Sequence, residues 1–267
     1  MKKYVSFFRI RFLTGLQYRA AAWAGLSTQF VWGTMLLLMF RAFYQADASA
    51  FPMTFRQLSS YIWLQQALLA LFITWSFDED IFEMIRSGGV AYELCRPADL
   101  FLMWMCRTMA TRLSRTALRC LPVLVVAAFL PEPWGISLPA SPSAALAFLV
   151  SLLLGLAVIS AMGMLVYVLT FYTISPVGLR TIFASAAEFL SGGFIPLPFL
   201  PDGVRRVAEA LPFASVQNTP LLIYGGFLSG REALLRIALQ AGWVLVLILA
   251  GRLILLRAIR RVVLQGG

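Results

Sequence analysis

Residues 77–99 read FDEDIFEMIRSGGVAYELCRPAD, the one long charged segment set between runs so apolar that only lipid would solvate them. The segment must face water, and its placement sets the sidedness of the rest. Asp78, Glu79 and Asp80 fit a first helical turn, where carboxylates oppose the positive end of the helix dipole. Ile81, Phe82 and Ile85 give an apolar edge, and Ser87, Gly88 and Gly89 close the helix, since glycine adopts the left-handed conformation at little cost. An ordinary polar loop between two spans is the competing reading.

Working outward, the composition describes a polytopic membrane protein. Of 267 residues, 60% are hydrophobic and 13% charged, with a mean hydropathy of +0.82. A water-soluble domain carries about a quarter charged residues, so half the usual charge is missing. The net charge of +10 does not point to nucleic acid, because the basic residues sit beside apolar runs in the pattern that sets topology. Histidine is absent, which removes the commonest general base and metal ligand, so neither a metal nor a cofactor is expected. Cys95, Cys106 and Cys120 lack metal-ligand spacing and an even count, and read as isolated thiols near a reducing cytoplasm. No cleavage signal follows the first apolar run, which is expected to remain as a span.

Residues 1–19 place Tyr4, Phe7, Phe8, Phe12 and Leu16 on one helical stripe, with Lys2, Lys3, Arg9 and Arg19 largely on other faces. That is the pattern of an interfacial helix in the headgroup layer; a frayed basic tail is the alternative. Residues 20–40 make a first expected span of about 20 apolar residues. Residues 58–75 make a second, flanked by Trp63 and Trp75 as interfacial aromatics. A third lies within 109–130, a fourth over 145–170 with Gly155 and Gly163 available for close helix packing, and a fifth opens over 181–194. The last covers 237–256, with Arg252 near enough to its inner end to snorkel. Residues 195–230 stay apolar but are broken by Pro196, Pro198, Pro201, Pro212 and Pro220, so an outer re-entrant hairpin is expected, Asp202 capping a short helix over 204–211. The chain thus reads as one all-α domain of six transmembrane helices.

Arg112, Arg115 and Arg119 fall within about 60° on a helical wheel inside the third span, where a charge needs a partner or a wet cavity. Glu188, in the fifth segment, has a comparable depth. An ion pair of Glu188 with Arg119 or Arg115 is expected, as a structural bond or as a substrate or proton site. Thirteen cations on the inner side against six on the outer put both termini in the cytoplasm.

Two stretches carry a family likeness. Gly88-Gly89-Val90-Ala91-Tyr92-Glu93-Leu94-Cys95-Arg96-Pro97 is one; Gly193-Phe194-Ile195-Pro196-Leu197-Pro198-Phe199-Leu200-Pro201, continuing to Leu211-Pro212-Phe213-Ala214 and Thr219-Pro220-Leu221, is the other. In order, spacing and topology the chain resembles the permease subunits of ABC-2 type exporters, in particular a bacterial branch of six-helix permeases whose genes often come in pairs. Position 95 departs from the usual aliphatic residue. The resemblance implies that residues 77–86, with Asp78, Glu79, Asp80, Ile81, Phe82, Glu83 and Arg86, form a coupling helix received by an ATPase subunit. It also implies a coupling-turn motif of Gly88, Gly89, Arg96 and Pro97. An outer gate would contain Phe194, Pro196, Pro198, Pro201, Pro212 and Pro220. The implied complex has two ATPase subunits and a second permease chain, identical or not, in the bacterial inner membrane.

The only lysines are Lys2 and Lys3, so no Walker A sequence exists here and ATP hydrolysis must lie in another chain. Two other classes compete: a proton-coupled carrier or membrane-embedded enzyme using Glu188 and the arginine stripe, and an assembly subunit that moves nothing. Catalysis ordinarily shows several convergent polar groups, and those are missing.

Overall fold

The computed structural model describes residues 2–17, 19–173 and 175–260. The inner cation Arg261 and the side chain of Arg19 lie outside what is described. The described residues form helices joined by turns, with no strand among them.

Helix α1 (Lys2–Gly15) does not lie apart as a separate surface element. Tyr4 accepts a hydrogen bond from the backbone N–H of Asp99 (2.8 Å), the Lys3 ammonium donates to the carbonyl of Pro97, and a Cβ at Gly15 would collide with Ser114 Oγ. Therefore α1 runs parallel to the first half of α7 (Leu100–Phe129). The aromatic stripe read as lipid-facing is half-buried, Phe8 and Phe12 stacking at 6.2 Å.

Helix α2 (Arg19–Ala46) matches the first expected span and extends six residues past it. The expected second span is not one continuous crossing. It is α3 (Phe55–Ala67), a break at Leu68, the single turn α4 (Leu69–Phe72), and an extended run to Asp78. α3 starts three residues before the expected position because Thr54 and Gln57 make a reciprocal capping box: the Gln57 N–H donates to Thr54 Oγ1 at 3.2 Å and the Thr54 N–H to Gln57 Oε1 at 2.9 Å. Its apolar length reflects burial in protein rather than contact with lipid, for Leu58, Tyr61, Ile62, Trp63 and Leu64 are all buried. Trp63 is thus no interfacial aromatic. Its indole donates to the Trp134 carbonyl at 2.7 Å, while Trp75 is half exposed.

Helix α7 begins nine residues earlier than expected, since Asp99 caps the Leu102 N–H at 2.8 Å. α8 (Pro142–Thr170) packs along α12 (Gly230–Ile259). Of the two glycines expected to pack closely, Gly155 does, a Cβ there reaching 2.5 Å from the Val216 carbonyl, whereas Gly163 faces open space. Among the described residues, three helices are long and apolar enough to cross a membrane: α2 from Gly25, α8 and α12. α7 has the length, but it carries the arginine stripe.

Between α8 and α12 lie α9 (Val177–Leu190), a 3-10 turn (Leu197–Phe199), α10 (Asp202–Ala210) and α11 (Asn218–Tyr224). The prolines break this stretch as expected. The cap does not fall on Asp202: Pro201 precedes the helix, and Asp202 lies in the first turn, paired with Arg205 at 2.8 Å. Arg252 faces the Phe101 ring at 5.7 Å and Asp99 at 3.5 Å, where α12 meets the start of α7.

Candidate functional site

The charged segment forms α5 (Glu79–Arg86), entered through Asp78, whose carboxylate accepts from the Asp80 N–H at 3.2 Å. The expected carboxylate turn is present, and Gly88, with φ +76°, supplies the left-handed residue just past the helix end. Ile81 and Phe82 are 0% and 1% exposed. Phe82 lies 4.9 Å from the ring of Tyr167 on α8 and Phe77 lies 5.8 Å from Phe183 on α9, so the apolar edge docks on the second half of the chain.

The acidic turn is held by two arginines. Arg107 on α7, itself buried, donates to both oxygens of Asp78 at 2.5 and 2.7 Å and to Asp80 at 2.5 Å. Arg180 at the start of α9 pairs with Glu79 at 2.7 Å and lies over the rings of Phe77 and Phe82 at 5.5 and 5.1 Å. The backbone N–H of Asp78 donates to the Tyr167 hydroxyl at 2.7 Å. A bidentate guanidinium–carboxylate contact fixes orientation as well as distance, so α5 is pinned to α7, α8 and α9 at once. The acidic turn still meets solvent on its far side, with the Glu79 and Asp80 side chains 67% and 77% exposed, as does the outer face, where Glu83 and Arg86 pair within the helix with side chains 61% and 55% exposed.

After the turn, α6 (Val90–Leu94) leads to Arg96, which pairs with Glu93 at 3.0 Å, and to Pro97, whose carbonyl is taken by Lys3. Tyr92 and Cys95 are exposed. The coupling-turn residues are therefore brought beside α1 as well as α5.

The arginine stripe is met differently from expectation. Arg112 donates to the carbonyls of Leu71 at 3.0 Å, Ile73 at 2.7 Å and Ser76 at 3.5 Å, supplying donors to the backbone where α4 ends. Arg115 donates to Ser76 Oγ at 3.0 Å, and the Arg119 guanidinium lies against Gly25 of α2. Glu188 accepts from Thr74 Oγ1 at 3.0 Å, and no ion pair joins it to Arg115 or Arg119 among the described residues. Glu188 and Arg115 meet the hydroxyls of Thr74 and Ser76 instead, partners that no charge pattern reveals.

The expected gate residues split. Pro196, Pro198, Pro212 and Pro220 are buried, whereas Phe194 and Pro201 are exposed. Three polar side chains hold the turn before Phe194: Gln65 donates to the Gly193 carbonyl at 2.6 Å, Tyr61 to Gly192 at 3.2 Å, and Gln217 to Ser191 Oγ at 3.1 Å. Asn218 Oδ1 accepts from the Leu197 N–H at 3.2 Å. Gln240 on α12, fully buried, donates to the carbonyls of Ser215 at 2.8 Å and Ser151 at 3.2 Å.

Sequence reading missed Arg107, Tyr167 and these buried amides. The available signal was an arginine in an apolar helix following an acidic turn, and isolated Gln and Asn in apolar helices, each of which needs a hydrogen-bond partner when buried.

A family model described as ABC-2 family transporter protein matches residues 30–266. A search of curated proteins finds no match.

Proposed function

We propose that this chain, which belongs to the ABC-2 family of transporter proteins, is the permease of an ATP-driven exporter and receives force from a separate ATPase through α5. The observation that supports this reading is the division of α5 into a pinned inner face and an open outer one, with Glu83 and Arg86 turned to water. A surface that is rigidly connected inside and unoccupied outside suits a groove in a partner protein.

The finer proposal has six crossings, with α3–α4, α7 and α9 joining the three long apolar helices, and both termini in the cytoplasm of a bacterial inner membrane. Residues 195–230 form an outer re-entrant gate, entered through the exposed Phe194 and Ile195. Irregular backbone at membrane depth is tolerated when protein supplies its hydrogen bonds, as Tyr61, Gln65 and Asn218 do here. The working unit contains two permeases, identical or sister chains, and two ATPase subunits. ATP-driven closure moves α5 and alternates the inner and outer openings.

The test is a charge reversal confined to the outer face, Glu83→Lys with Arg86→Glu, in the complex with the ATPase subunit that copurifies with this chain. The variant should fold and insert normally but lose coupling of hydrolysis to transport. Undiminished coupling would remove α5 as the contact. A single cysteine at position 83 should be blocked by an impermeant thiol reagent only in inverted vesicles; labelling in intact cells reverses the orientation.

A further inference from the structure

A cleft of about 720 Å3 opens between α1, the extended run after α4, and α7. Five arginines line it: Arg11 from α1 and Arg107, Arg112, Arg115 and Arg119 from α7. Its only carboxylates, among the described residues, are Asp78, Glu79 and Asp80, and these are consumed at the rim, two by Arg107 and one by Arg180. Arg11, Arg112 and Arg115 have no carboxylate partner among the described residues. Their neighbours are neutral: the Phe7 ring, backbone carbonyls and a serine hydroxyl. The cleft interior thus keeps a surplus of positive charge.

Such a surplus carries a cost. Arg112, Arg115 and Arg119 recur at intervals of three and four on one helix face, where like charges repel, and low-dielectric walls strengthen that repulsion. A bound anion relieves it. Apolar side chains share the lining, Leu69, Ala70 and Ile73 from the α4 side and Leu118 from α7, so the same cleft offers cations to a head and hydrocarbon to a tail. The guanidinium groups come from two helices and are spread over a rise of about 10 Å along α7. A tetrahedral phosphate, with acceptors pointing several ways, suits donors arriving from several directions better than a planar carboxylate does.

We infer that this cleft binds the phosphate head of an amphiphile that enters from the membrane leaflet beside α1. That the leaflet is the inner one rests on the orientation proposed above; the binding itself does not, so failure of the transport reading leaves it standing.

The test uses the purified full chain in neutral detergent, titrated with dioctanoyl phosphatidylglycerol, dioctanoylglycerol and glycerol 3-phosphate, with bound ligand counted by native mass spectrometry. Phosphatidylglycerol should bind, and Arg115→Gln and Arg11→Gln should each weaken it about tenfold or more, the change expected for one lost charge-assisted hydrogen bond. Arg56→Gln, which lies outside the cleft and pairs with Glu132, should bind as the native chain does. Dioctanoylglycerol, with tails and no phosphate, should not bind. Native affinity retained in both cleft variants, or dioctanoylglycerol binding as tightly as the phospholipid, overturns the site. Glycerol 3-phosphate binding as tightly as the phospholipid overturns the amphiphile and makes the ligand a soluble phosphate.

Discussion

Arg107 and Asp78 lie 29 residues apart in the chain and meet through two parallel hydrogen bonds of 2.5 and 2.7 Å. The contact joins the entrance of α5 to the first third of α7. Both side chains are largely shielded, at 10% and 23% exposure, so this pair differs in kind from the surface pairs around it.

A double-mutant cycle with Arg107→Gln and Asp78→Asn should show a coupling energy of about 1–3 kcal/mol, in the range for contacting partners in one network. Thermal unfolding of the four purified proteins measures it. Additive single effects would mean that the two groups do not support each other.

Arg96 gives the contrasting case. Its partner Glu93 is three residues away with its side chain 14% exposed, while Arg96 itself is 58% exposed, so solvent screens one end of the pair and its worth is about 1 kcal/mol or less. Arg96→Ala should leave melting unchanged within that margin. If transport nevertheless falls further than it does for Arg56→Ala, the loss reports a contact outside this chain; equal losses take away the reason for singling out Arg96.

At Gly15 the neighbouring helix comes so near that an added methyl has no room beside Ser114. Gly15→Val should destabilise the chain by about 1–3 kcal/mol, the usual penalty for overfilling a packed contact. Adding Ser114→Gly should recover part of the loss. A neutral Gly15→Val in a detergent melting assay would show that α1 is free to lift off α7.

Glu188→Gln retains an acceptor for Thr74 and should be close to neutral in both stability and transport. Charge exchange with Arg115 or Arg119 should fail to rescue Glu188→Arg, because neither arginine is its partner. Rescue by either exchange would restore the intramembrane pair.

Gln240→Leu removes a fully buried amide that serves the carbonyls of Ser151 and Ser215 and accepts from Ser151 Oγ at 2.8 Å. Leaving buried polar groups unmet costs about 1–3 kcal/mol. The melting temperature should fall accordingly, and an unshifted melt would place water at this site.

Hydropathy reads the helices that are apolar throughout, and so α2, α8 and α12 were legible from residue type alone. It could not separate α3 from them, since a side chain buried in protein and one facing lipid have the same composition; Trp63 looked interfacial and is internal. The acidic turn and its glycine stop were readable because both follow from local backbone chemistry. What holds that turn was not, for Arg107, Tyr167 and Arg180 arrive from distant positions. Charge counting paired Glu188 with Arg119 or Arg115, because it considers only other charges and overlooks the hydroxyls of Thr74 and Ser76 and, for Arg112, the carbonyls of Leu71 and Ile73.

The grip of Arg112 on those carbonyls bears on how movement crosses the chain. Residues 73–78 have no helical bonding of their own, and left unrestrained such a run would bend and swallow a displacement of several ångströms. Bound at Leu71, Ile73 and Ser76 to one guanidinium, the strand has little slack. Under the proposed coupling, a shift of α5 would then reach α7 as travel rather than be lost in bending.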